Sequence, residues 1–308
     1  MYRLAHLSDL HATRVRIPPR PLRSFANKRA LGWISWWLRR RHEYRPEILR
    51  ALIRDLRALA PDHVAVTGDL THLGLESEVA EAVEWLDQIG DADSVSLVPG
   101  NHDAYVGALE ALDWTPWAAF LRSDRSFDGS ATGGSNGVDF PSVRIRGPLA
   151  LVGLSSARPS PIGQATGRVG KRQLERLAPI LEGLGRTSLF RVVLIHHPPT
   201  GVEGASRRQL TDAQALRRVI ERHGADLVLH GHTHRDSVDR VPGPAGPIPV
   251  VGVRSSSAAG RRPGRRARYH VYSIEGSDRE HRHIQVEIRG FDADSGLFVR
   301  ESRRPLDV

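Results

Sequence analysis

Five short stretches of this chain carry the side chains that a pair of divalent cations would need. They are Asp9-Leu10-His11, Gly68-Asp69, Gly100-Asn101-His102-Asp103, His196-His197-Pro198-Pro199 and Gly231-His232-Thr233-His234. Imidazole nitrogens mixed with carboxylate and amide oxygens suit Mn, Fe, Zn or Co. The chemistry such a set serves best is hydrolysis of a phosphate ester. That reaction needs a strong nucleophile at neutral pH and neutralised phosphoryl oxygens. Two ions roughly 3.5–4 Å apart supply both, through a hydroxide bridging them in line with the leaving group.

A two-ion site needs one shared carboxylate, and Asp69, a lone Asp after Gly, is the natural bridge. The two-residue spacing in Asp9-x-His11 and His232-x-His234 would place both side chains on one side of an extended segment. Asn101 offers a neutral amide oxygen, which limits negative charge where a phosphate must bind. Gly68, Gly100 and Gly231 let the backbone turn sharply beside the ions. His102 follows Asn101 directly and so points elsewhere; it reads as a residue facing substrate, stabilising developing charge or protonating the leaving oxygen. Asp103 would then hydrogen-bond the other imidazole nitrogen and fix its tautomer. Either His196 or His197 can be the ligand of its stretch. His72 and His197 are candidate substrate contacts and His230 a candidate support, whereas His6, His63 and His223 read as ordinary core or surface residues.

The elements that must position these residues are legible as strands running into them. Apolar runs Val64–Val66, Val95–Val98, Val192–Ile195 and Leu227–Leu229 each precede a ligand stretch, and Tyr2–Ser8 precedes Asp9. Helical spacing at 46–60, with Pro46 at the first position, and at 75–89 separates the early strands. Strand, helix, strand, helix, strand is the order of a sheet with right-handed crossovers. In such sheets the carboxyl ends of the strands converge on one crevice. Further strands are expected at 149–154, 189–195 and 226–229, with helices at 170–184 and 212–223. Residues 123–148 are rich in Gly, Ser and Asp, and Ser130–Gly137 reads as a loop lacking the Lys and Ser/Thr of a P-loop. Residues 242–249 read as turn-rich and 254–268 as a basic mobile loop. Residues 268–275, 282–289 and 297–302 suggest an antiparallel meander. A βαβ half followed by a β-rich half would give two sheets packed face to face. The ligand stretches run from 9 to 234, so a domain boundary between them would divide the site. The 308 residues are therefore read as a single domain.

The ordered set Asp9-x-His11, Gly68-Asp69, Gly100-Asn101-His102-Asp103, His196 and Gly231-His232-x-His234 resembles the calcineurin-like metallophosphoesterase superfamily over roughly residues 2–235. The resemblance implies an α/β fold, a four-layer αββα sandwich of two mixed β-sheets flanked by helices. It implies that Asp9, His11, Asp69 and His234 bind one ion and Asp69, Asn101, His196 and His232 the other, with His102 catalytic. The family's histidine-x-proline pattern favours His196 over His197. Two divalent ions are the implied cofactors, with manganese favoured. Among the members of that superfamily, the resemblance implies cyclic-nucleotide phosphodiesterases or the UDP-diacylglucosamine pyrophosphatases of lipid A synthesis as the expected kinds.

Thirty-four residues separate His11 from Pro46, where a βα loop usually takes about 2–6. Residues 13–45 hold ten Arg/Lys, one acidic residue (Glu43) and Trp33, Trp36 and Trp37. Leu22, Phe25, Ala26, Ala30, Trp33, Ile34 and Trp37 follow helical spacing, flanked by Arg20, Arg23, Lys28, Arg29 and Arg39-Arg40-Arg41. A basic helix with an aromatic face can lie in a membrane interface or cover an acyl chain; otherwise it is a cap. Either way it should overhang the ions, which makes the three tryptophans candidate substrate contacts. A β-rich part, 248–303, completes the domain. The expected partner is a phosphorylated small molecule or a lipid-linked nucleotide such as UDP-diacylglucosamine. A cyclic nucleotide is the alternative substrate. A metal nuclease or basic nucleic-acid binder is a third reading, drawn from the net charge of +9 and from Arg261, Arg262, Arg265, Arg266 and Arg268. The absence of cysteine excludes disulfides and thiolate-bound metals. With no signal peptide and no run of apolar residues able to span a bilayer, the expected location is cytoplasmic, peripheral to the inner face of the membrane.

Overall fold

Alternation along the central strands sorts their side chains into separate cores. In β1 (Tyr2–Leu7), Leu4 enters one buried cluster while Ala5 and Leu7 enter another. In β2 (His63–Val66), Ala65 parts from Val64 and Val66 in the same way. Strands buried on both faces read as near-continuous apolar runs, which is why the sequence shows them so plainly. This computed structural model describes residues 1–16, 28–106, 114–124, 138–201, 206–261, 264–276 and 282–307. Leu22, Phe25, Ala26, Ser130–Gly137 and Arg262 lie outside the described residues.

After β1 come α1 (Lys28–Ser35), a π-helical turn (Trp36–Arg40), α2 (Arg41–Glu43) and α3 (Pro46–Leu59). Then follow β2, α4 (Glu76–Ile89), β3 (Val95–Leu97) and α5 (Ala118–Leu121). The second sheet is built from β4 (Ser142–Arg146), β5 (Leu149–Gly153), α6 (Lys171–Gly185), β6 (Phe190–Leu194), α7 (Ala213–His223), β7 (Leu227–His230), β8 (Ser237–Val241) and β9 (Ile248–Gly252). The chain closes with β10 (Arg268–Glu275), β11 (His283–Asp292) and β12 (Leu297–Pro305).

Strand order is β12-β11-β10-β1-β2-β3 in one sheet and β4-β5-β6-β7-β9-β8 in the other. Between the sheets, Leu4, Ala65, Val98 and Tyr272 pack against Leu151, Val192, Leu194, Leu229 and Val251. On the outer face of the first sheet lie Leu49, Leu52 and Leu56 of α3 with Trp85 and Leu86 of α4. Leu177 and Leu181 of α6 and Leu216 and Ile220 of α7 cover the second. The result is the expected four-layer αββα sandwich, an α/β fold.

Two details differ from the sequence reading. The sheets do not divide the chain into halves: β10 pairs antiparallel with β1, Leu4 opposite Tyr272, so the C-terminal strands complete the N-terminal sheet. And β4 lies in the Gly/Ser/Asp-rich stretch 123–148, β8 in a stretch for which no element was expected, and β9 begins inside the turn-rich 242–249. Both β4 and β8 are edge strands with polar sequences, SVRIR and SVDRV, and β9 follows a Pro/Gly-rich turn. Those residues mask the alternation.

Candidate metal centre

Each ligand stretch begins where a parallel strand stops pairing. β1 and β2 stay in register to Leu7 and Val66, and β6 and β7 to Leu194 and Leu229. Beyond those points the backbone does not stay extended. Asp9, His11, Asp69, His232 and His234 all have φ between 41° and 65°, and only Ala60 joins them among described non-glycine residues of positive φ. The spacing argument from an extended segment is therefore replaced: left-handed turns, not strand alternation, bring Asp9 to His11 and His232 to His234 into one recess. Such residues cost about 1–3 kcal/mol each and persist only where their surroundings enforce them. Gly68, at φ 89°, continues the same turn. A methyl group at Gly231 would collide with Ser8 and with the Asp9 carboxylate, so glycine here lets two ligand loops meet.

The carboxylates divide their labour. Oδ2 of Asp9 accepts the His232 N–H at 3.0 Å, and Oδ1 of Asp69 accepts the His102 N–H at 2.8 Å. Their other oxygens face imidazoles. Oδ1 of Asp9 lies 3.2 Å from Nε2 of His234, and Oδ2 of Asp69 lies 3.6 Å from Nε2 of His11 and 3.4 Å from Nε2 of His196. His11 donates from Nδ1 to the Thr71 carbonyl at 2.7 Å, and His196 donates from Nδ1 to the Thr67 carbonyl at 2.6 Å. Those bonds orient both rings with Nε2 towards carboxylate oxygens; Nε2 of His11 is left with its lone pair, whereas that of His196 carries a proton in the free protein. Oδ1 of Asn101 is 3.3 Å from Nε2 of His196, and Oδ1 of Asp9 has no hydrogen-bond donor. At His11 an acceptor thus faces an acceptor in a buried recess, while at His196 a proton lies between ring and carboxylate; a cation reconciles the first contact and can take the place of the proton in the second. The residues present fit two ions: Asp9, His11 and His234 form one group, Asp9, Asp69 and His196 another, and His196, His197 and His232 a third, with ligand atoms within 4.8 Å of one another in each.

Charges follow the same geometry. Burial works against the Asp69 carboxylate, but His196, His102 and His11 outweigh it and hold Asp69 well below the usual range. Burial disfavours the His196 cation, yet Asp69 and then Asp9 raise the ring to about 9. Burial first, joined by neighbouring imidazoles and, for His11 and His234, by the Arg40 charge, pushes His11, His232 and His234 down against the carboxylates beside them.

His102 sits among these residues with its ring open to the cavity. Its Nδ1 donates to the His72 carbonyl at 2.6 Å. This corrects the role given to Asp103, whose carboxylate instead accepts the N–H groups of Asp69 (2.9 Å), Leu70 (3.0 Å), Thr71 (3.0 Å) and Gly100 (2.8 Å). Asp103 braces the two metal loops against each other; burial and the Asp69 charge raise it to about 7. His72 is buried and stacked on His11, rings 5.1 Å apart. His197 is also buried, its ring on His232 at 4.2 Å, with Nδ1 against Ser156 Oγ at 2.8 Å. Both back the recess rather than face substrate. Buried His230 lies against Gly231.

A cavity of about 580 Å³ opens over the recess, walled by Asp69, Asn101, His102, His232 and His234. The insertion contributes Ser35, Leu38, Arg40, Glu43 and Tyr44 to its wall. The three tryptophans are not among the lining residues: Trp33 and Trp36 pack against Val15, Leu73, Leu75 and Tyr105, and Trp37 is exposed. Sequence reasoning missed Tyr44, whose ring lies 4.6 Å from His11 and whose hydroxyl is 3.4 Å from Nδ1 of His234. It also missed the serines of the segment read as a mobile loop. Ser255, Ser256 and Ser257 are fully buried. Ser255 Oγ donates to the Asp9 carbonyl at 2.6 Å, and Ser257 Oγ donates to that of Leu10. Only the run of three serines marked them.

The family described as calcineurin-like phosphoesterase matches residues 2–236. A probable cyclic nucleotide phosphodiesterase of Synechococcus sp. is 27% identical over 188 residues, covering 60% of this chain and 62% of that protein. The chain therefore spans under two thirds of that relative. A dimetal phosphatase from Danio rerio superposes with a TM-score of 0.55 at 13% identity, covering 94% of this chain and 95% of the other. A purple acid phosphatase from yellow lupin seeds gives 0.60 at 12% identity, covering 97% and 52%. These structural likenesses establish a shared fold.

Proposed function

Because the chain belongs to the calcineurin-like phosphoesterase family, and is thus a metal-dependent phosphoester hydrolase, we propose that it cleaves a phosphodiester or pyrophosphate bond over the recess just described. Asp9, His11, Asp69 and His234 would hold one ion, and Asp69, Asn101, His196 and His232 the other. The observation that carries this reading is the meeting of Nε2 of His11 and Nε2 of His196 at the carboxylate oxygen Oδ2 of Asp69, the first unprotonated and the second holding a proton that a bound ion would displace. When bound, two divalent ions, manganese in the first instance, supply an activated water and neutralise phosphoryl charge.

The chain's own residues do the rest. Asn101 adds an oxygen without adding charge, so an anionic ester is not repelled. His102 is held by the His72 carbonyl with Nε2 turned to the cavity. Burial, then the Arg40 charge, keeps this ring neutral in the free protein. An arriving phosphate anion favours the imidazolium, which can then donate from Nε2 to the leaving oxygen. Ser35, Leu38, Arg40, Glu43 and Tyr44 of the insertion form one wall of the access to these groups. Residues 1–308 would act as one domain, since ligands come from both sheets and β10 pairs with β1.

A cyclic nucleotide is the substrate favoured by the Synechococcus relative. A second reading, an amphiphilic substrate such as a lipid-linked nucleotide met at a membrane surface, rests on one observation: Leu31, Ile34, Trp37 and Leu38 of the insertion are exposed. No helix among the described residues is long and apolar enough to cross a membrane. A Mn²⁺-supplemented panel of cyclic nucleotides, bis(p-nitrophenyl) phosphate and a lipid-linked UDP sugar distinguishes the two. Hydrolysis of none of them, with two ions bound, would refute the proposal. Loss of liposome binding on replacing Leu31, Trp37 and Leu38 by Ser, with diester hydrolysis kept, would favour the second reading; no liposome binding by wild type would remove it.

A further inference from the structure

We propose that Arg40, carried by the insertion, is a substrate-binding residue whose guanidinium holds a phosphoryl oxygen beside His102. The inference rests on the hydrolase reading above and assigns a part of substrate recognition to this chain's long insertion.

Arg40 lines the cavity together with Asp69, Asn101, His102 and His234. One guanidinium nitrogen, Nη1, lies 2.9 Å from Nε2 and 3.2 Å from Nδ1 of His102. Since Nδ1 already donates to the His72 carbonyl, only Nε2 can accept from Arg40. No carboxylate of the described residues lies within ion-pair distance of Arg40. The contrast with its neighbours decides the matter. Arg29 donates to the carbonyls of Leu73 and Gly74, and Arg265 donates to those of Thr233 and His234. Those arginines hold loops together. Arg40 spends its charge on a neutral ring at the mouth of the recess, which is a poor way to stabilise a fold and a good way to await an anion.

The local backbone aims it there. Trp36 sets its ring edge against His72 at 6.2 Å, and Arg40, four residues on, reaches the adjacent His102. Trp37 and Arg41 pair outward in the same spacing, guanidinium over indole at 4.6 Å. Both pairs straddle the π-helical turn Trp36–Arg40, whose wider winding places an extra residue in the turn. An ordinary α-helical register would rotate the side chain by about 100° per residue slipped and carry Arg40 away from His102. Both flanks are pinned. Lys28 Nζ donates to Ser160 before the turn; after it, the Tyr44 N–H bonds the Arg40 carbonyl and the Arg45 N–H bonds that of Ser257. A rigid guanidinium offers two parallel donors to a phosphoryl group, which a lysine cannot.

The test uses the full chain loaded with Mn²⁺, with inorganic phosphate as the probe. By calorimetry, Arg40→Ala should weaken phosphate binding roughly 10- to 100-fold, the scale of a lost charge-assisted contact, while bound metal per chain is unchanged. Arg40→Lys should fall between. With bis(p-nitrophenyl) phosphate, KM should rise for Arg40→Ala, and added guanidinium ion should restore part of the lost rate in that variant and none in wild type. Phosphate affinity within twofold of wild type, or loss of metal from the variant, would overturn the proposal. If wild type binds metal and phosphate but cleaves no ester, the hydrolase reading fails, while a weakened Arg40→Ala would still support Arg40 as the anion holder.

Discussion

Replacing Asp69 by Asn exchanges one oxygen for an amide NH₂ and should separate metal binding from folding. Oδ1 of Asp69 accepts the His102 N–H, and the amide oxygen can keep that bond. The NH₂ then stands 3.6 Å from Nε2 of His11 and 3.4 Å from Nε2 of His196. Without the carboxylate His196 loses the stronger of the two carboxylates that raise it, so its neutral form is favoured and can accept from the new donor. The lost ion pair and the gained hydrogen bond nearly cancel, leaving stripped variant and stripped wild type within about 1–2 kcal/mol. Metal changes the comparison. A ligand at about 1,000 times its Kd stabilises by about 4.1 kcal/mol. Unfolding entropy of about 2.1 cal/mol/K per residue over 308 residues gives about 0.65 kcal/mol/K. Each filled site should then raise Tm by about 6 °C. Scanning calorimetry of chelator-stripped and Mn²⁺-titrated protein should show wild type rising by about 12 °C for two sites and Asp69→Asn hardly moving. An equal metal-dependent rise in both would refute Asp69 as the shared ligand. A stripped variant melting more than about 10 °C below stripped wild type would make Asp69 a residue of the fold instead.

Other substitutions report on other parts of the centre. His102→Ala should keep both ions by elemental analysis and lose roughly 10²–10⁴ in kcat; a parallel loss of metal would make it a ligand. Asp103→Ala leaves four backbone N–H groups of the metal loops without their acceptor, and should cost about 3–5 kcal/mol in urea unfolding, with Asp103→Asn losing less. Equal stability of all three proteins would show that the loops stand without the brace. His63 lies away from the cavity, buried against Ser96, and burial, aided by Arg144 and Arg146, pushes it down to about 3. Unfolding frees that ring to take a proton at its ordinary value, so the stability it contributes above pH 6.5 is lost as pH falls towards 3. His63→Gln should flatten the acid limb of stability by about 1.4 kcal/mol per pH unit. Parallel limbs for variant and wild type would exclude it.

The strands that end in candidate ligands were legible because burial on both faces makes them continuous apolar runs, and Val64–Val66 and Leu227–Leu229 need no neighbour to be recognised. The convergence of Asp9, Asp69, Asn101, His196 and His232 was legible from their place after such runs. The left-handed turns were not. A non-glycine residue at φ 51°, such as Asp9, leaves no mark in sequence, because tertiary contacts impose it. Edge strand β8 was hidden by the exposed charged residues that such edges carry, and β4 by Arg144 and Arg146, which turn back to bond the Val95 carbonyl and Asp124. The partner of His102 was misread for a related reason. A backbone carbonyl, that of His72, can fix a tautomer as well as a carboxylate can, and carbonyls have no sequence signature. Arg40 was counted in a basic run, since nothing in Arg39-Arg40-Arg41 says which one a π-helical turn will aim inward.

The proposed ligands end at residue 234, but the candidate centre does not. Asp9 and His11 hold strained turns that β1 alone would not enforce, and their supports come from far along the chain. Ser256 N–H donates to the Ser8 carbonyl at 2.9 Å, Ser8 N–H donates to Ser256 Oγ at 3.2 Å, and Ser255 and Ser257 take the next two carbonyls. The strain is local and the bonds are local, so releasing them should relax Asp9 before it unfolds the domain. Ser255→Ala with Ser257→Ala removes two hydrogen bonds, about 2 kcal/mol, or roughly a 10- to 30-fold loss in apparent metal affinity if that energy holds the turn. The global melting temperature of the stripped protein should fall by only about 3 °C. Metal titration of the double variant separates the two: weaker binding with little thermal change places these serines in the centre, and the reverse pattern would mean that they only fasten β9 to β10. Preorganisation explains why a buried serine run, with no donor atom aimed at an ion, belongs to the same functional unit as the aspartate it holds.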